Sequence, residues 1–155
     1  MKHFFLLTLS LITGYILYAQ TGSAKQVKWD FATKKLSENT YEIKITANIG
    51  GNYHMYAQDA GTDGPVATEF TFTGNPLVSM NGKVKEVGKK VTKKEEVWGG
   101  KGIVNYYEKS VEFVQVVKLK GNAKTNVSGK VEFMVCNDSQ CLPPSEVEFK
   151  IPVGG

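Results

Sequence analysis

With 155 residues, 41% hydrophobic and 22% charged, the chain has the size and composition of one soluble globular domain with its own core. Its formal charge of +4 comes from lysines without a single arginine, spread along the chain, which leaves a nucleic-acid partner without support.

Residues 1–19 read as a secretion signal and 20–155 as the exported domain. Lys2 and His3 form a basic start, Phe4 to Leu17 are largely apolar, and Tyr18-Ala19-Gln20 offers a small residue for cleavage after Ala19. Leu17 stands where a small residue is usual, so an uncleaved N-terminal anchor is the alternative. The apolar run of 14 residues is shorter than the ~20 that a spanning helix needs, so no membrane span is expected in the mature chain. Export, to the periplasm or otherwise, places any cysteine pair where a disulfide is chemically permitted.

Gln26 to Phe31 alternates and is expected to be the first strand, ending at a Lys34-Lys35 turn. Thr40 to Ile49 repeats the pattern with Tyr41, Ile43, Ile45, Ala47 and Ile49 inward, and Gly50-Gly51-Asn52 turns the chain into a short strand, Tyr53-His54-Met55-Tyr56. Asp59 to Pro65 reads as loop, and Glu69–Thr73 and Leu77–Val87 as strands broken by Gly74-Asn75-Pro76. A lysine- and glutamate-rich segment, Lys89 to Val97, runs into Trp98-Gly99-Gly100-Lys101-Gly102, too flexible for a strand interior. Val111 to Leu119 has apolar residues on both faces, as a central strand would, and Val147, Phe149, Ile151 and Val153 alternate cleanly with polar neighbours. Short strands between turn signals, with no helical period after the signal, give an all-β fold, an antiparallel two-sheet sandwich.

Both cysteines lie in Phe133-Met134-Val135-Cys136-Asn137-Asp138-Ser139-Gln140-Cys141-Leu142-Pro143-Pro144. The preceding strand puts Val127, Gly129, Val131, Phe133 and Val135 on one face and Ser128, Lys130, Glu132, Met134 and Cys136 on the other, so period two assigns Cys136 to the polar face. Asn137, Asp138 and Ser139 are turn formers and the two prolines cannot donate to a ladder, so Cys141 falls in an irregular loop. A bridge between the two would close a ring of about six residues and remove only about 2 kcal/mol of unfolded-state entropy, against almost 5 for a ring of about a hundred. A staple that merely holds the fold is one reading. A bond that opens and closes in use is the other, since short rings at exposed loops are the more easily reduced kind.

With this segment, Asn52-Tyr53-His54-Met55-Tyr56 and Glu95-Glu96-Val97-Trp98-Gly99 in hand, the mature chain resembles the N-terminal periplasmic domain of DsbD, the membrane thiol-disulfide reductase. Its strongest local match is Val135-Cys136 to Cys141-Leu142-Pro143-Pro144. The resemblance implies an immunoglobulin-like fold and makes Cys136 and Cys141 a redox pair in a protein-disulfide reductase module. Such a module takes electrons from a membrane thiol reductase and hands them to thioredoxin-like or disulfide isomerase proteins, with no cofactor. It implies that Glu95, Glu96, Val97 and Trp98 form a cap over the disulfide, with Val97 where a phenylalanine is usual. It also places His54 and Tyr56 where the family has tyrosines beside the active site. The cysteine spacing is one residue shorter than in the best-known member. No membrane or thioredoxin-like domain follows Gly155, which implies an electron source on a separate chain.

Exchange needs an attacking thiolate, an accessible sulfur and a leaving thiol, and two cysteines in one loop supply the last two. By parity Cys136 belongs to the ordered strand, so Cys141 is expected to be the more readily attacked. Glu95 and Glu96 in a cap would disfavour a nearby thiolate by like-charge repulsion; the plainer reading is two solvated charges in a lysine-rich run. Trp98 would shield the sulfurs or simply pack, and Tyr56 likewise. His54 is the one histidine after the signal, and no spacing supports a metal site. The competing function is an exported immunoglobulin-like binding module with a structural disulfide, its face supplied by Tyr53, Tyr56, Trp98, Tyr106 and Tyr107.

Overall fold

The computed structural model describes residues 22–61, 65–95 and 102–155. The expected signal, residues 1–19, lies outside them. A 3-10 turn, Gly22–Gln26, is followed by eleven strands among the described residues: β1 (Val27–Ser37), β2 (Thr40–Ile49), β3 (His54–Gly61), β4 (Glu69–Phe72), β5 (Val78–Val87), β6 (Lys90–Glu95), β7 (Gly102–Glu108), β8 (Ser110–Leu119), β9 (Thr125–Phe133), β10 (Val135–Cys136) and β11 (Ser145–Val153). They form three antiparallel sheets, in the orders β1-β2-β8-β5, β10-β3-β7-β6 and β11-β9-β4. The first sheet is one layer of an immunoglobulin-like sandwich and the other two together make the second.

Period two explains the main core. Tyr41, Ile43, Ile45, Ala47 and Ile49 on β2 and Val111, Phe113, Val117 and Leu119 on β8 turn one face inward. Met55, Tyr107, Val127, Val131, Phe133, Val135, Phe149, Ile151 and Val153 meet them from the opposite layer. Aromatic rings lock the layers at van der Waals range: Phe70 lies 4.9 Å from Phe113 and Trp29 5.1 Å from Phe133, the latter edge-on. β8 is central in its sheet, paired with β2 and β5, which accounts for its apolar residues on both faces.

Four expectations need correction. β1 does not turn at Lys34-Lys35; its ladder continues through Lys34↔Glu42 and Lys35↔Tyr41, and the turn falls at Glu38-Asn39. Lysines on an exposed edge strand discourage foreign pairing and do not break the strand. Asp59–Gly61 is not loop but the end of β3, irregularly paired, and Gly61 carries φ 103°. Lys90–Glu95 and Gly102–Glu108 pair as antiparallel strands, neither of which the sequence pattern marks as a strand. Finally, β9 stops at Phe133, and Cys136 is buried at 2% exposure instead of facing solvent.

Candidate functional site

The chain changes sheets at Met134. β9 belongs to the three-stranded sheet, whereas Val135 and Cys136 pair with Met55 and His54 at the edge of the four-stranded sheet β10-β3-β7-β6. The parity count itself holds, since Cys136 does point away from the main core. That outer face, however, is covered. Tyr56, Ala60, Val104, Tyr106, Met134 and Cys136 make a second, smaller apolar cluster there, with Val66, Ala67, Val91 and Cys141 packed against it.

Cys136 and Cys141 form a disulfide with Cα atoms 4.0 Å apart. The cause is a tight hairpin. Leu142 N–H donates to Val135 O at 3.0 Å and Asn137 N–H to Gln140 O at 2.9 Å. The two cysteines between them are therefore the non-hydrogen-bonded pair, the closest approach in an antiparallel ladder. Cys141 is thus held in register and does not sit in an irregular loop. The tip is closed by the Asn137 side chain, whose Oδ1 accepts from Ser139 N–H and Gln140 N–H, both at 2.9 Å, and Gln140 Nε2 donates to the Tyr53 hydroxyl at 3.2 Å.

A second anchor comes from the N-terminal turn. Ser23, fully buried, accepts from Val135 N–H through Oγ at 3.0 Å and donates from the same oxygen to Pro143 O at 2.9 Å, while its own N–H reaches Pro143 O at 3.0 Å. The prolines that cannot donate still accept, and this fixes the far side of the hairpin. On the covering segment Thr68 is buried; its hydroxyl donates to Tyr56 O at 2.6 Å and its N–H to Ala57 O at 3.2 Å, which seats Val66 and Ala67 over the cluster.

The two sulfurs are not equivalent. Cys136 is buried, whereas Cys141 is partly exposed. His54 stands opposite Cys136, its ring 4.3 Å from Tyr106 and its Nε2 3.3 Å from the Tyr56 hydroxyl. His54, Tyr56, Cys136 and Cys141 are thus brought together. Glu95 closes the β6–β7 hairpin opposite Gly102, at the end of β7 remote from Glu108, the residue level with His54. Glu96, Val97 and Trp98 lie outside the described residues. The aromatic binding face does not assemble: Tyr107 is buried in the main core, Tyr56 and Tyr106 are buried in the second cluster, and Trp98 is outside the described residues. Nothing in the sequence marks Ser23, Thr68 or Gln140 for a role here. The Asn-x-Ser-Gln turn signal was visible, but partners more than a hundred residues away were not.

An antiparallel sandwich carrying a short-ring disulfide at one sheet edge, with one sulfur buried and one partly open, defines a class of small β domains with a chemically addressable bond. Within that class the chain belongs to the family of the N-terminal domain of the thiol:disulfide interchange protein DsbD, whose model matches residues 8–152. The crystal structure of the Neisseria meningitidis DsbD N-terminal domain in the reduced form is similar over 84% of this chain and 88% of that chain, with 17% identity and a TM-score of 0.46. No curated protein matches this chain. The family is one of thiol-disulfide exchange modules with thiol-protein partners, and Cys136–Cys141 is the disulfide of this member.

Proposed function

We propose that this domain is an exported electron relay. A membrane thiol reductase reduces Cys136–Cys141, and the resulting dithiol reduces thioredoxin-like or disulfide isomerase proteins in the periplasm. The observation that carries this reading is the unequal burial of the two sulfurs. An incoming thiolate meets Cys141 first and expels Cys136. The partner's second thiol then attacks the partner sulfur of the mixed disulfide and releases Cys141, so two electrons and two protons enter the domain. The cap role of Glu95, Glu96, Val97 and Trp98 belongs to the same proposal; what supports it is that Glu95 ends a strand of the disulfide's own sheet.

The test is equilibration of the purified domain with a reduced thioredoxin-like protein, followed by trapping. The reduction potential is expected above about −300 mV, the region below which structural disulfides lie. Cys136→Ala, which leaves Cys141, should accumulate mixed disulfides, and Cys141→Ala should accumulate far fewer. A bond that stays oxidised against the dithiol, with no adduct in either variant, would replace the relay by a structural staple.

A further inference from the structure

We propose that His54 is the proton-transfer group of this disulfide, stabilising and then protonating the Cys136 thiolate released when Cys141 is attacked; this rests on the relay reading above. Strand register carries the proposal. Cys141 opposes Cys136 in the hairpin, Cys136 opposes His54 between β10 and β3, and His54 opposes Glu108 between β3 and β7. Directly opposed residues share a face with Cβ atoms about 4.5–5.5 Å apart. A carboxylate, an imidazole and two sulfurs therefore stand in one row across a single sheet. His54 is half-buried and its ring is held against Tyr106 and the Tyr56 hydroxyl, two members of the cluster that packs Cys136. Register places Glu108 and the two cysteines on this row, Tyr56 and Tyr106 lie against the ring, and the Tyr53 hydroxyl meets the hairpin tip.

The step balances as follows. A partner thiolate forms a bond to Cys141 Sγ, the Cys136–Cys141 bond breaks, and its electron pair goes to Cys136 Sγ. The imidazolium of His54 stabilises that charge and then gives it a proton, and neutral His54 regains a proton from solvent. A leaving thiol leaves faster the lower its pKa, and a neighbouring cation lowers it. The help is present while His54 is protonated and is lost as pH rises through the imidazole range, ordinarily near 6.5.

Reduction of the oxidised domain by dithiothreitol, expressed per reagent thiolate between about pH 5 and 8.5, reads the proposal directly. For the wild type this rate constant should fall on the order of tenfold as pH rises through the histidine range. His54→Gln should be flat at the wild type's high-pH value. Identical profiles in wild type and His54→Gln, with reduction still proceeding, would overturn the role of His54 and leave the relay standing. A wild-type bond that dithiothreitol does not open would overturn the relay, and this role with it.

Discussion

Tyr107 and Glu86 tie the two layers together: the Tyr107 hydroxyl on β7 donates to Glu86 Oε2 on β5 at 3.0 Å. The same carboxylate accepts from Gln58 N–H at 2.7 Å and pairs with Lys90 Nζ at 3.0 Å. Burial, and then the hydrogen bond and charge of Glu86, push the Tyr107 hydroxyl well above its ordinary value of 10.0. The fold thus favours the protonated phenol. Its contribution is complete below about pH 10 and is lost as pH rises further. Tyr107→Phe should cost about 2 kcal/mol at neutral pH, the scale of a hydrogen bond to a charged group. The gap between wild type and variant should narrow above about pH 10, as measured by urea unfolding across that range.

Opening the disulfide should leave the sandwich folded. Its ring of about six residues contributes about 2 kcal/mol in the chain-entropy account, small beside the 5–15 kcal/mol of a typical domain. The reduced domain should keep the far-ultraviolet circular dichroism of the oxidised one and unfold at a modestly lower urea concentration. Loss of cooperative unfolding on reduction would contradict this.

Ser23→Ala removes the oxygen that accepts from Val135 N–H and donates to Pro143 O. It leaves a buried donor without that acceptor, at a cost of about 1–3 kcal/mol. Because the bond fixes β10 directly beside Cys136, hydrogen exchange at Val135 and Leu142 should speed up more than exchange in β2 and β8. Uniform acceleration across all strands would show that Ser23 acts on global stability alone.

Gly61→Ala should be among the most damaging single changes. A Cβ there would sit 1.7 Å from Ile103 O, on a backbone with φ 103°. The clash forces β3 away from β7 beside Val104, a member of the second cluster. A loss of about 3 kcal/mol or more is expected, in the upper range for overpacking and backbone strain together. Thermal denaturation of the variant checks it.

The alternation on β2, β9 and β11 was legible because each buries one face against a single core, and one face in water is what period two reports. The cysteine pair and its neighbours His54 and Tyr56 were legible by resemblance. Cys136 was misread because its outer face carries a cover, and a cover supplied by Val66 and Ala67, some seventy residues earlier in the sequence, leaves no trace in local periodicity. β7 was missed for the same reason: Tyr106 and Tyr107 each face a different apolar cluster, so the strand shows no polar side. The Lys34-Lys35 turn failed because charge alone marks solvent exposure, whereas a turn needs residues such as Glu38-Asn39 that tolerate its backbone.

Because the strand path changes sheets at Met134, only two residues of ladder, Val135 and Cys136, tie the disulfide corner to β3. In the relay proposed above, any rearrangement on electron uptake can stay at that corner, with the aromatic interior as a mount that need not register the redox state. Such a domain would present the same outline to donor and acceptor alike, so the direction of traffic would be set by their potentials instead of by a change in its own shape.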